Sequence, residues 1–198
     1  GRPLLAFDFD GTLAPIVATP GGARIGEAVA SRLRRLAARL PVAIVTGRAV
    51  DDVRGRLGFA PHYVVGNHGA EDGVDPGSAA RQVRALDALR ERLAAHAAVI
   101  GAAGVSVEDK GQSLALHYRL AADRAAAQAL IRSLLSDVAP ALRVFSGKMV
   151  ENVVPAEAAD KAQAVRALVA RAGADRAFFA GDDVNDEPVF AAAPPHWL

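Results

Sequence analysis

Two aspartates separated by one residue stand near the start of the chain, in the segment Phe7-Asp8-Phe9-Asp10-Gly11-Thr12-Leu13. The apolar run Leu4 to Phe7 predicts a short strand that is buried on both faces, and Gly11 predicts a turn directly after it. A strand that ends there brings Asp8 and Asp10 to its carboxyl end, where open α/β sheets bind their ligands. The alternative to a ligand-binding role is that the two aspartates are exposed to solvent at the strand end and have no function there.

Polar residues follow two further apolar runs in the same way. Thr46-Gly47-Arg48 come after the run Val42 to Val45, and Gly181-Asp182-Asp183-Val184-Asn185-Asp186 come after the run Ala177 to Ala180. Carboxylates gathered at one edge raise each other's pKa unless a cation lies between them, so this arrangement predicts a divalent ion. Ligands that are all oxygen atoms favour Mg²⁺.

The apolar spacing between these strands predicts how the strands are joined. Residues recur at helical spacing between the first two strands: Ile25, Val29, Leu33, Leu36 and Leu40. The order strand, helix, strand indicates a right-handed parallel crossover. A helix from Asp51 to Leu57 and a strand from Tyr63 to Val65 repeat this unit, and a helix from Lys161 to Ala172 precedes the last strand. We therefore predict an α/β fold with a Rossmann-like parallel sheet.

The middle of the chain has a different pattern, which begins in the loop-forming residues between Asp72 and Gly77. A long helix from Val83 to Ile100 is predicted there, followed by short strands in which apolar residues alternate with small or polar ones. Such alternation is typical of antiparallel strands with one solvated face. We predict a catalytic core of residues 1–75 and 155–198 and an inserted, smaller α+β domain of residues 76–154.

The composition excludes several classes of partner. The 198 residues carry 23 basic and 22 acidic side chains, for a formal net charge of +1, and 5% of them are aromatic. This balance predicts no nucleic-acid or membrane partner. The absence of cysteine is compatible with a reducing cytoplasm, so we expect a cytoplasmic protein that acts on a small molecule. The chain stops where a last strand of such a sheet would begin, so we expect a trimmed C-terminus; the sequence leaves the oligomeric state open.

Carboxylates, a hard cation, a hydroxyl and basic side chains in one crevice predict a binding site for a phosphate group. Hydrolysis of a phosphate monoester is among the slowest reactions in water, and enzymes accelerate it by up to ~10²¹. A covalent aspartyl-phosphate intermediate would divide this reaction into two easier steps. The residues therefore favour a phosphomonoester hydrolase.

Four segments in order resemble the motifs of the haloacid dehalogenase superfamily of phosphatases: Asp8-Phe9-Asp10-Gly11-Thr12-Leu13, Thr46, Lys161 and Gly181 to Asp186. The resemblance implies that Asp8 is the nucleophile and that Asp10 protonates the leaving oxygen and later activates water. It implies that Thr46, Gly47 and Lys161 bind the phosphoryl oxygens. It also implies that Mg²⁺ is held by the Asp8 carboxylate, the Asp10 main-chain carbonyl and Asp182, with Asp183 and Asp186 in support.

The inserted domain looks like the cap of the sugar-phosphatase branch of that superfamily. Within this branch, several short segments are similar to trehalose-6-phosphate phosphatases: 46–48, 66–71, 107–110, 117–119, 147–150 and 181–183. The resemblance implies trehalose 6-phosphate as the substrate. The substrate-binding residues that it implies are Arg48, His68, Glu108, Lys110, Arg119 and Asn152.

Several interpretations stay open at this stage. Asn152 stands where the family usually has a glutamate, and Glu151 lies one place earlier, so either side chain is a candidate to contact the sugar. Glu108 and Lys110 would also fit a surface ion pair. The alternative functions are a phosphatase for sucrose phosphate or mannosylglycerate phosphate and, less favoured, a non-catalytic sugar-phosphate-binding domain.

Overall fold

A computed structural model of the protein describes residues 2–17, 20–72, 83–138 and 140–197. The chain divides into unit 1, formed by residues 1–72 together with 159–198, and unit 2, formed by residues 73–158. The first predicted domain boundary, between residues 75 and 76, lies outside the described residues. Unit 2 ends at Ala158, a few residues beyond the boundary predicted at Val154.

Unit 1 contains a parallel sheet, which confirms the predicted α/β class. The strands, numbered along the whole chain, are β1 (Leu4–Phe7), β2 (Val42–Val45), β3 (Tyr63–Val65) and β8 (Ala177–Ala180), in the spatial order β3-β2-β1-β8. The helices of this unit are α1 (Glu27–Ala37), α2 (Val50–Arg54), α6 (Lys161–Arg171) and α7 (Glu187–Ala192).

Helices cover both faces of the unit 1 sheet. On one face, α1 and α2 contribute Leu33 and Val53 to a core that also contains Phe9 and Ile44. On the other face, α6 and α7 pack against a second group of buried strand residues, which includes Leu4. Since helices cover both faces of the sheet, its strands are apolar runs rather than alternating ones, although Phe178 of β8 is exposed.

Unit 2 contains an antiparallel sheet with helices packed on one face. The strands are β4 (Ser106–Asp109), β5 (Leu114–His117), β6 (Leu142–Gly147) and β7 (Val150–Pro155), in the order β4-β5-β7-β6. The helices are α3 (Asp87–Ala95), α4 (Ala97–Ala102) and α5 (Arg124–Leu135). Leu93, Ile100 and Ile131 of these helices pack on Leu116 and Val153 of the sheet.

One predicted element of unit 2 is wrong in detail. The helix expected from Val83 to Ile100 is interrupted at Leu86, which lies in a turn, and again at His96, where φ is −105° and ψ is 12°. Leu93 and Ile100 are buried on either side of the second break, so the apolar spacing continues across it. Among the described residues, none of the helices has both the length and the apolarity that crossing a membrane requires.

Candidate active site

The carboxyl ends of the parallel strands lie level with one another. Phe7 at the end of β1 pairs with Ile44 of β2 and with Ala180 at the end of β8. The backbone N–H of Asp8 donates to the Ala180 carbonyl over 2.9 Å. Asp8, Thr46 and the segment that starts at Gly181 are therefore gathered at one edge of the sheet.

Lys161 reaches this edge from the first position of α6. Asp160 caps the helix: its side chain accepts from the Gln163 N–H over 2.8 Å, and the Gln163 side chain accepts from the Asp160 N–H over 2.9 Å. This capping box fixes where the helix begins. The Lys161 Nζ donates to Asp8 Oδ1 and to Asp186 Oδ1, each over 2.7 Å.

Burial affects the pKa values of Asp8 and Lys161. Lys161 is 4% exposed, Asp8 5% and Asp186 0%. Burial raises the pKa of Asp8 to about 6, although the Lys161 ammonium opposes the rise. Burial also disfavours the charged form of Lys161, but attraction to Asp8 and Asp186 outweighs it, and the pKa of Lys161 is raised. At neutral pH Asp8 is therefore mostly a carboxylate that faces a permanent ammonium.

Asp182 completes an acidic cluster with Asp8 and Asp186. Each of the three offers a carboxylate oxygen, and these atoms lie within 4.8 Å of one another. Gly11, at φ +87°, passes so close to Asp182 that a Cβ there would collide with its carboxylate. Lys161 donates to two of the three, Asp8 and Asp186. Three carboxylate oxygens this close together fit a hard divalent cation.

The side chain of Asp10 points to a different partner. Arg48 Nε donates to Asp10 Oδ2 and Arg48 Nη2 donates to Asp10 Oδ1, each over 2.7 Å. The third guanidinium nitrogen, Nη1, donates to Asp52 over 2.9 Å. Arg48, predicted to bind substrate, is thus engaged with Asp10 and with a residue that the sequence analysis did not select.

One part of this sheet edge is formed by Thr46, Gly47 and His68, which contact one another. Thr46 is fully buried, and its Oγ1 accepts from the Arg48 N–H over 3.2 Å. The His68 ring lies directly against Gly47: a Cβ at position 47 would be 2.6 Å from His68 Nε2. His68 itself has a positive φ of 59°, and its N–H donates to the Thr46 carbonyl over 2.9 Å.

Asn67 and Glu71 are structural residues of this edge that the sequence analysis did not select. Glu71 Oε2 accepts from Asn67 Nδ2 and from the Val50 N–H, each over 2.8 Å. These bonds connect the loop after β3 to the start of α2. The sequence feature that could have identified them is an amide and a carboxylate four residues apart in a glycine-containing turn.

Asp183 and Asp186 stabilise the loop after β8. Asp183 Oδ1 accepts from the Val184 N–H over 2.8 Å, and the Asp183 N–H donates to Asp186 Oδ2 over 3.0 Å. Asp186 is therefore bonded through one oxygen to the loop backbone and through the other to Lys161. Asp183 acts on the loop, whereas Asp186 connects the loop to the lysine.

In unit 2, the predicted substrate-binding residues Glu108 and Asn152 share one face of the sheet with His117. Glu108 and Asn152 both pair with Ala115 in the strand register, so their side chains point to the same side. His117 Nε2 lies 2.9 Å from Glu108 Oε2, and Lys110 Nζ lies 3.8 Å from the same oxygen. Arg119 Nη2 donates to the Lys148 carbonyl over 3.3 Å.

Glu151 lies on the opposite face, which packs against the helices. It pairs with Leu116 of the core, and its Oε2 accepts from Ser146 Oγ over 2.7 Å. Gln128 of α5 donates to its other oxygen over 3.5 Å. Of the two alternatives left open by the sequence, Asn152 is the one that shares a face with Glu108.

The chain is similar to known proteins over nearly its whole length. The model of the trehalose-phosphatase family matches residues 6–196. The chain belongs to the trehalose-phosphatase family. The match covers both units, including the strand ends that carry Asp8, Thr46 and Asp182.

Individual relatives match the chain over a similar extent. The trehalose-phosphate phosphatase of Mycobacterium avium is 34% identical over 202 residues, which cover 96% of this chain and 51% of that protein. A protein of Mycobacterium tuberculosis described as an uncharacterized glycosyl hydrolase is 36% identical over 202 residues, which cover 96% of this chain and 15% of that protein. The chain therefore spans about half, or less, of the length of these relatives.

A solved structure of the trehalose-phosphatase family has the same fold. The C-terminal domain of C. albicans trehalose-6-phosphate phosphatase aligns with a TM-score of 0.81 and 25% sequence identity, covering 96% of this chain and 73% of that chain. The parallel sheet and the inserted antiparallel sheet are thus features that this chain shares with the family.

Proposed function

We propose that the protein is a phosphatase that hydrolyses trehalose 6-phosphate to trehalose and inorganic phosphate. The observation that carries the proposal is the buried pair of Asp8 and Lys161 at the carboxyl edge of the sheet, where Nζ donates to Oδ1 over 2.7 Å. A carboxylate that is ionised at neutral pH and held beside a permanent cation suits attack on a phosphate ester. Membership of the trehalose-phosphatase family supports the substrate.

The proposed reaction has two displacements. In the first, an oxygen of Asp8 forms a bond to phosphorus while the bond between phosphorus and the sugar oxygen breaks, and Asp10 gives that oxygen a proton. In the second, water attacks phosphorus, Asp10 takes a proton from the water, and the bond to Asp8 breaks. Lys161, Thr46 and the backbone at Gly47 hold the phosphoryl oxygens during both steps.

We propose Mg²⁺ as the cofactor, bound by the carboxylates of Asp8 and Asp182 and by the main-chain carbonyl of Asp10. The acidic cluster of Asp8, Asp182 and Asp186 supports a cation at this edge. Bound there, Mg²⁺ offsets the repulsion between the carboxylates and an anionic phosphate ester.

The absence of cysteine supports a cytoplasmic location.

Unit 2 is proposed to supply sugar recognition. Glu108, Lys110 and Asn152 lie on one face of its sheet, and together with Arg119 they offer carboxylate, amide and cationic groups that suit a hydroxyl-rich ligand. A site built from such groups rejects a ligand that lacks the matching hydroxyls, because its polar groups would then be unpaired.

A screen of phosphate release tests the proposal directly. The protein is offered trehalose 6-phosphate, sucrose phosphate and mannosylglycerate phosphate, each with and without Mg²⁺. We expect the highest kcat/KM for trehalose 6-phosphate and no turnover after chelation or in Asp8→Asn. The matched control is Asp175→Asn, because Asp175 is exposed and pairs with Arg176 on the surface.

Each unfavourable result of the screen removes a defined part of the proposal. Equal or faster turnover of another sugar phosphate would remove trehalose 6-phosphate as the substrate. Substantial activity in Asp8→Asn would contradict the covalent route. A protein that binds these compounds but releases no phosphate would be a sugar-phosphate-binding domain instead.

A further inference from the structure

We propose that Arg48 and Asp52 are positioning residues that orient the carboxylate of Asp10 for proton transfer, so that Arg48 acts through Asp10 rather than on the substrate. This inference rests on the proposed phosphatase function. It gives Arg48 a different role from the substrate contact that the family resemblance implies, and it adds Asp52 to the functional residues.

The guanidinium of Arg48 uses all its nitrogens within the protein. Nε and Nη2 both donate to Asp10 over 2.7 Å, which is the side-on, two-bond geometry that fixes the plane and the direction of a carboxylate. Nη1 donates to Asp52 over 2.9 Å. The guanidinium also lies over the Phe9 ring, with Cζ 5.3 Å from its centroid. The side chain is 10% exposed, so little of it is accessible to a ligand.

Asp52 is itself held from the far side by Arg56. Arg56 Nε donates to Asp52 Oδ1 over 3.0 Å, and Arg56 Nη2 contacts the same oxygen. Arg56 Nη1 is anchored in turn on the Gly21 carbonyl over 2.6 Å. The charges alternate along the row Asp10, Arg48, Asp52, Arg56, so that Arg48 and Asp52 each lie between two opposite charges.

Asp52 lies outside the acidic cluster, so its role can be tested separately from that of the cluster. Asp52 stands in the first turn of α2, four residues after Arg48, and it is not a member of the group formed by Asp8, Asp182 and Asp186. Removing its carboxylate leaves the nucleophile, the lysine and the cluster unchanged. The first effect of such a change is on the direction of the Arg48 guanidinium and, through it, of Asp10.

The leaving group distinguishes positioning of Asp10 from other roles. A sugar alkoxide leaves slowly unless it is protonated in the transition state, so its release depends on a carboxyl group held within hydrogen-bond distance. A p-nitrophenolate anion is stable and leaves without that proton. A change that misorients Asp10 therefore slows phosphoryl transfer to Asp8 much more from a sugar phosphate than from p-nitrophenyl phosphate. Breakdown of the aspartyl phosphate is common to both substrates, so the comparison uses kcat/KM, which reports the first step.

The experiment measures kcat and KM of Asp52→Ala in the full chain with both substrates, trehalose 6-phosphate and p-nitrophenyl phosphate. We expect kcat/KM for the sugar phosphate to fall by roughly 10- to 100-fold, a part of the 10²–10⁴ that positioned proton transfer contributes. We expect a much smaller fall with p-nitrophenyl phosphate. The matched control is Asp51→Ala, whose side chain is 98% exposed in the same helix turn, and which should leave both reactions as in the wild type.

Two further variants keep the result interpretable if Asp52→Ala is unstable. Asp52→Glu retains a carboxylate for Arg48 and should recover part of the lost kcat/KM for the sugar phosphate. Arg48→Lys retains the charge but has no two-bond geometry toward Asp10, and it should show the same selective loss with the sugar phosphate. Melting temperatures of all variants identify those that are folded at the assay temperature.

Three results would overturn the inference. Equal losses of kcat/KM with both substrates would assign Asp52 a purely structural role, and a loss that comes from a raised KM with unchanged kcat would make Arg48 a substrate-binding residue. Unchanged kinetics in Asp52→Ala would remove the coupling altogether. If these results appear while the wild type hydrolyses trehalose 6-phosphate and Asp8→Asn does not, the inference fails and the proposed function stands. If the wild type releases no phosphate, both fail.

Discussion

Lys161 Nζ lies 2.7 Å from an oxygen of Asp8, a residue 153 positions earlier in the chain, and both side chains are almost completely buried. A second carboxylate, Asp186, is bonded to the same nitrogen. Two buried carboxylates thus depend on one buried ammonium for their charge compensation.

Replacement of that ammonium should destabilise the fold. In Lys161→Met, Asp8 and Asp186 remain buried without their cationic partner, and breaking a buried ion pair in this way costs about 3–5 kcal/mol. Urea unfolding of the protein in the absence of divalent cations measures the change. Lys148→Met is the control, because Lys148 is exposed and its replacement should change the free energy of unfolding little. A loss in Lys161→Met no larger than that of the control would contradict the pairing.

A bound divalent cation should stabilise the protein through the acidic cluster. Mg²⁺ at a hundred times its dissociation constant adds about 2.7 kcal/mol to the free energy of unfolding, if it binds the folded state alone. We expect the melting temperature to rise with Mg²⁺ and the rise to disappear in Asp182→Asn. Asp175→Asn, which removes an exposed carboxylate outside the cluster, should keep the rise. Equal shifts in both variants would place the cation elsewhere.

The contact between Gly47 and His68 predicts a pair of compensating substitutions. In Gly47→Ala the new methyl group would collide with the His68 ring, and overpacking of this kind costs about 1–3 kcal/mol. His68→Ala in the same chain removes the obstacle and should restore most of the loss, as measured in a double-mutant cycle. Gly101→Ala in α4 is the control: a Cβ there meets open space, and the substitution should stabilise the helix by about 0.5–1 kcal/mol. Additive losses at 47 and 68 would rule out the contact.

The opposite orientations of Asn152 and Glu151 predict different defects. Asn152→Ala should raise KM for the sugar phosphate by roughly 2- to 10-fold, the value of one lost hydrogen bond. Glu151→Gln changes a residue that bonds Ser146 and Gln128 on the helix side, so it should lower the free energy of unfolding and leave KM unchanged. The reverse pattern would show that Glu151 faces the ligand.

The strand-end residues were predictable because their positions depend on local pattern. Asp8, Thr46 and Asp182 each follow a buried apolar run, and parallel strands end at a common edge, so their proximity follows from the fold class. Lys161 differs, because nothing near it in the sequence separates it from a solvated lysine. Its place in the site depends on how α6 packs on the sheet, which is a tertiary property.

The partners of Arg48 and the helix break at His96 could not be predicted from the sequence. The sequence places Arg48 near the site, but which partner its guanidinium bonds depends on the spatial relation of β1 to α2. The break at His96 is not visible in the apolar spacing, because Leu93 and Ile100 stay on the buried side across it. Periodicity reports which face is buried and is insensitive to a short interruption of the helix.

Adjacent positions on β7 carry different structural duties. Residue 151 is part of the fit between sheet and helices, whereas residue 152 is buried on the other face of the sheet, beside Ala115. A mutation at 151 therefore acts on the contacts to Ser146 and Gln128, whereas a mutation at 152 acts on the opposite side of the same strand.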